Sequence, residues 1–206
     1  MLRTALQVTY WWRDEALTVI PGNHDRFILY EQIPKEPMEA WFDVVSPHEP
    51  RLKTFEEGIA LLEVETNRDP DEDRHPTESW LPNTIGRIYE EVPDFVASHQ
   101  AELEGMRVVA LVHHHITADW YPTGAGALSG LMEPADGVEP FVESLDLVDE
   151  SAVILHGHKH DIMPVEYHHG EHPVGCPGGF HESLRLNIID FDQHDEQVIT
   201  QIELRN

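Results

Sequence analysis

Apolar and polar positions along this chain follow two rhythms, one helical and one of strands. In residues 2–15, Leu2, Leu6, Trp11 and Trp12 stand among polar residues, which predicts a helix with a mostly apolar side. Residues 16–20 are short, apolar and β-branched, and they stop at the turn signal Pro21-Gly22-Asn23; this predicts a strand. Prolines break up residues 26–50, which read as irregular with a short helix near 38–44. Residues 52–55 and 59–65 flank Glu56-Glu57-Gly58 and predict a hairpin. Residues 66–83 are polar and read as an exposed loop. Residues 84–104 predict a helix bent or broken at Pro93. The continuous apolar run 107–112 suits a strand covered on both faces. A long loop with Gly124, Gly126 and Gly130 follows, then a helix at 138–147 and a second buried strand at 152–155. Residues 165–168, 184–190 and 197–204 predict antiparallel strands around turns at Gly170 and His194-Asp195. Helices and strands alternate first and strands dominate later, which favours an α/β sandwich.

Composition narrows this picture. A chain of 206 residues with 40% hydrophobic positions is one domain, residues 1–206, with a sizeable core. No apolar run is long enough to span a bilayer, and the first residues lack the pattern of a signal peptide. The single Cys176 excludes an intrachain disulfide framework. Together these features predict a cytoplasmic protein.

Charge excludes more. Lys+Arg number 13 against 39 Asp+Glu, a formal net charge of −26. So acidic a surface repels nucleic acid and anionic membranes. An acid-rich surface suits high salt, where repulsion is screened, and equally suits an ordinary acidic cytosolic protein.

Fifteen histidines are many for this length, and they cluster at 113–115, 156–160 and 168–172. Three loops share one arrangement. Gly22-Asn23-His24-Asp25, His113-His114 and Gly157-His158-Lys159-His160 each follow a short apolar strand. In α/β folds, sites form at the carboxyl ends of strands, so three such ends can converge on one cluster. Imidazole suits zinc, iron, manganese or nickel, and amide oxygen suits harder ions. His158 and His160, two apart in extended chain, point to one side. Taken singly, each loop is more simply a turn or a run of surface histidines. Their joint occurrence in this order points to metal. His168, His169 and His172 read as a solvated hairpin, and Cys176 as a small residue in a tight loop near the site.

Pro21-Gly22-Asn23-His24-Asp25, then Val109-Ala110-Leu111-Val112-His113-His114, then Gly157-His158-Lys159-His160 resemble the last three motifs of the calcineurin-like metallophosphoesterases. The resemblance covers residues 15–190 by motif order. It implies a four-layer αββα sandwich, two mixed sheets face to face with helices outside. It implies two divalent ions (manganese, iron or zinc) and hydrolysis of a phosphate mono- or diester by a metal-activated hydroxide. It makes Asn23, His113 and His158 ligands of the second metal, with His114 as the alternative to His113, and His160 a ligand of the first. It makes His24 the acid that stabilises the phosphate, and Asp25 the group that orients it.

The family's Asp-x-His and Gly-Asp motifs do not precede Gly22. The resemblance therefore leaves the fold incomplete at its N-terminal side. Three expectations follow: a truncated form of a longer product, a short form completed by dimerisation or another chain, or a catalytically impaired scaffold that binds metal or protein. The intact third to fifth motifs favour the first.

Overall fold

The computed structural model describes residues 49–67, 85–117, 134–158, 167–176, 185–191 and 197–203. They form an α/β arrangement around a mixed six-stranded sheet. The predicted hairpin is present. Strands β1 (Arg51–Thr54) and β2 (Ile59–Val64) pair antiparallel, with Leu52 opposite Leu62. Gly58 closes the turn at φ +79°, a left-handed conformation that costs a glycine little. Its N–H donates to Phe55 O at 3.0 Å.

The helix expected over 84–104 starts later and breaks elsewhere. Residues 85–90 are not helical; Arg87 there makes a parallel bridge to Asp136. Helix α1 spans Glu91–Ser98 and α2 spans Gln100–Leu103, separated at His99. Pro93 lies in the first turn of α1. No N–H at that point has an intrahelical acceptor, so the proline removes nothing and breaks nothing. Glu91 and Asp94 place negative charge at the same end, where the helix dipole favours it.

Strand β3 (Arg107–Val112) pairs parallel with β2. Helix α3 (Val138–Asp146) leads to β4 (Val153–Leu155), which pairs parallel with β3. Val138, Phe141 and Leu145 are buried at helical spacing, so α3 lays one stripe on the core. The turn expected at Gly170 joins β5 (His168–His169) to β6 (His172–Gly175). Strand β6 also pairs parallel with β4, a strand that the sequence pattern did not reveal. The sheet order is β1-β2-β3-β4-β6-β5. Strands β7 (Arg185–Phe191) and β8 (Gln197–Glu203) form a separate antiparallel pair, as the pattern predicted.

Strand alternation sorts the two faces of the large sheet. Ala60, Leu62, Val64, Val108, Ala110, Val112, Ile154 and Val174 face the helices and pack with Val92, Val96, Phe141 and Leu145. Val109 and Val153 point the other way, against Ile59, Leu61, Leu111, Leu155 and Ile189 of β7. Helices thus pack on one face, and Ile189 of β7 packs on the other. Among the described residues no helix is long and apolar enough to cross a membrane.

Candidate metal centre

Strands β2, β3 and β4 run parallel, so their carboxyl ends lie side by side. Val64 is in register with Val112, and Leu111 with Leu155. The chain leaves these ends into Thr66, into His113-His114-His115 and into His156-Gly157-His158. The loops are stitched together by backbone: Gly157 N–H donates to His113 O at 3.1 Å, and His156 N–H to Gly175 O at 3.0 Å. A second seam runs through Arg87 N–H to Thr66 O at 2.9 Å, Asp136 N–H to Gly86 O at 2.9 Å and Ala135 N–H to His115 O at 3.0 Å.

Three imidazoles meet at this place. One ring nitrogen from each of His113, His114 and His158 lies within 4.8 Å of the others. The ring centroids are 4.9 Å apart for His113 and His114, 5.2 Å for His113 and His158, and 4.5 Å for His114 and His158. His113 and His158 are half-buried, and His114 is fully buried. The donor set fits a borderline divalent ion, since imidazoles suit zinc, iron, copper and nickel.

Local backbone holds the rings where they are. His158 has φ +61°, a left-handed conformation that a side chain with Cβ adopts at a cost of about 1–2 kcal/mol. Gly86 lies flat against His114; a Cβ there would sit 2.6 Å from His114 Cβ. Thr66 Oγ1 accepts the His114 backbone N–H at 3.0 Å and lies 2.8 Å from His114 Nδ1.

Two more histidines underlie the cluster. His115 is fully buried, its ring parallel to that of His158 with centroids 6.0 Å apart. His156 is buried, and its Nδ1 lies 3.1 Å from Gly157 O. Burial lowers the His156 pKa to about 4, with the Gly157 carbonyl pulling weakly the other way. The Cys176 thiol, also buried, donates weakly to Gly157 O at 3.9 Å. Its place as a small group in the loop packing beside the site agrees with the reading from sequence.

No family model and no curated protein matches the chain.

His113 and His158 lie together in the structure, with His114, the alternative to His113, beside them. Asn23, His24, Asp25 and His160 lie outside the described residues. Two expectations are corrected. Thr66 and Asn67 are buried, not the start of an exposed loop, because Thr66 seats His114. His172 is 1% exposed rather than solvated. Its Nδ1 lies 3.0 Å from Ala152 O and its Nε2 3.0 Å from Asp146 Oδ1, so it ties β6 to β4 and to the end of α3. Gly86 and Thr66 were missed because each is close to the histidines only in space; no spacing in the sequence marks them.

Proposed function

We propose that the chain is a metal-dependent hydrolase of phosphate mono- or diesters, built as a single four-layer αββα domain over 1–206. One observation carries this reading: three imidazole nitrogens within 4.8 Å of one another at the carboxyl ends of two parallel strands. In this proposal His113 and His158 hold one ion with Asn23, and His160 faces the other. Manganese, iron or zinc bound there would supply a polarised water and offset negative charge on phosphorus-bound oxygens. His24, oriented by Asp25, would hydrogen-bond the phosphoryl group and pass a proton to the leaving oxygen. The substrate is then a phosphorylated small molecule or other phosphoester rather than nucleic acid, given the net charge of −26. The setting proposed is the cytoplasm, with a second copy or another chain free to complete the sheet.

The test is turnover of bis-p-nitrophenyl phosphate and p-nitrophenyl phosphate by the chain with manganese added. Hydrolysis that EDTA abolishes, and that His24→Ala reduces at least about 100-fold, is the expected result. Metal held without any turnover would leave a metal-binding scaffold and sink the hydrolase reading.

A further inference from the structure

We infer that the cavity at the amino end of α3 binds an organic ammonium group, the cationic part of the substrate. This rests on the phosphoester reading above and deepens it, by naming what the ester carries besides phosphorus.

The cavity has a volume of about 390 Å³, within the roughly 300–1,000 Å³ usual for small-molecule sites. Ile116 and Thr117 line one side, Val138 and Glu139 of α3 another, and His169 of β5 a third. Ile116, Thr117 and Val138 are buried, so the floor is part of the packed fold. The sides are tied to one another. Ala135 N–H donates to His115 O at 3.0 Å, and the Thr117 hydroxyl lies 2.8 Å from that of Tyr167, two residues before His169.

The cavity also neighbours the metal centre. Ile116 directly follows His113-His114-His115, and three residues of extended chain span at most about 11 Å. One small molecule can therefore place phosphorus at the histidines and a charged group in the cavity.

Charge selects the ligand. Asp136 and Glu139 both line the cavity, and no lysine or arginine is among the described residues that do. The amino end of α3 pulls the other way, as an anion site would. Its dipole amounts to about half a unit charge, and Glu139 already stands in the first turn. Two carboxylates outweigh that half charge, and the net −26 of the chain adds to them. An anion is repelled here and a cation drawn in. A bare metal ion gains nothing from apolar walls, whereas the carbon chain beside an ammonium packs on Ile116 and Val138.

The experiment uses the full chain with manganese and two diesters of one shape, 2-aminoethyl p-nitrophenyl phosphate and n-propyl p-nitrophenyl phosphate. They differ by an ammonium in place of a methyl group. The amino ester should show a kcat/KM roughly 5–10-fold higher, the ratio that one part-exposed charge pair supplies. Glu139→Gln should bring that ratio down toward one. Glu102→Gln removes the same charge from α2, outside the cavity, and should not change the ratio, which separates the cavity from the general field of the protein. Separately, n-propylammonium chloride added to the chain in EDTA should move the backbone amide resonances of Ile116, Thr117, Val138 and Glu139, and n-propanol should not. Equal rates for the two diesters overturn the inference and leave the hydrolase reading standing. A ratio lowered as much by Glu102→Gln as by Glu139→Gln does the same. If neither ester is turned over, the hydrolase reading falls and the resonances decide. Changes at those four residues uphold the ammonium site, and changes elsewhere, or none, overturn it as well.

Discussion

The two ends of strands β3 and β4 are built from polar groups in opposite ways. At the amino ends one carboxylate gathers several donors. Asp149 Oδ2 accepts the Val108 N–H at 2.8 Å, and Asp149 Oδ1 accepts the Ser151 N–H at 3.1 Å and its hydroxyl at 2.9 Å. Arg107 donates to Ser151 Oγ at 3.1 Å and lies 3.7 Å from Asp149 Oδ1. At the carboxyl ends, three imidazoles crowd together with a strained backbone at His158. The first arrangement is closed on itself and adds stability. The second accepts a conformational cost to aim nitrogens at one point, as functional sites do. Parallel strands place sites at their carboxyl ends, and here the amino ends act as the brace.

The sharpest way to break this contrast is to remove a ring from the second end. His158→Ala should weaken cobalt or zinc binding by roughly 100-fold or more, because one ligand of a small set is lost. In EDTA the same variant should stay folded. His158→Gly should lose the metal equally, yet unfold in urea about 1 kcal/mol later than His158→Ala, since glycine accepts the left-handed backbone. If alanine and glycine variants are equally stable, the backbone at residue 158 is not strained.

The next effect is in pH. His156 takes a proton near 6.5 when unfolded and near 4 when folded, because burial disfavours its charged form. Between those values the unfolded state binds the extra proton. Stability is therefore full above about pH 6.5, falls as the pH drops toward 4, and loses on the order of 3 kcal/mol from this group. Urea unfolding of the metal-free chain from pH 7.5 to 4 should show this fall, and His156→Phe should flatten it. Parallel curves for the two proteins would mean that His156 is not the group responsible.

Much of the body of this fold was legible in the sequence, and less of the site. The run 107–112 announced a strand covered on both faces because parallel central strands are apolar throughout. The Gly58 and Gly170 turns were legible because left-handed positions favour glycine. Strand β6 was not, since His172-Pro173-Val174-Gly175 carries a single β-branched residue and no alternation. Pro93 misled because a proline in a first turn and a proline in mid-helix look alike until the start of the helix is known. At the site, His113 and His158 stood out by motif. Thr66 did not, because its role comes from parallel pairing, which sets the end of β2 beside a histidine 48 positions later. His172 misled for a related reason. A histidine beside a turn is usually solvated, and its burial comes from contacts with β4 and α3 that are distant in sequence.

At the braced end, Asp149→Ala should leave metal affinity unchanged within about threefold while costing stability. The Val108 N–H loses its carboxylate acceptor, and a buried donor left so costs about 1–3 kcal/mol. With the bonds to Ser151 also gone, a loss of roughly 2–3 kcal/mol in urea unfolding is expected. A large drop in metal affinity instead would mean that the two ends are not independent.

Ser151→Ala is the gentlest cut. It removes the hydroxyl that donates to Asp149 and accepts from Arg107, but it leaves the Val108 N–H bonded to Asp149. The Arg107 side chain is 28% exposed, so it is not fully buried when the hydroxyl is lost. A loss of about 1 kcal/mol is expected, the ordinary net worth of one hydrogen bond. The pair is informative through its double variant. Once Asp149 is gone, the Ser151 hydroxyl has lost the carboxylate it serves, so Asp149→Ala with Ser151→Ala should cost less than the two single losses added together. Strict additivity would show that Arg107, Asp149 and Ser151 act separately, and that the amino end is a set of neighbouring bonds rather than one brace.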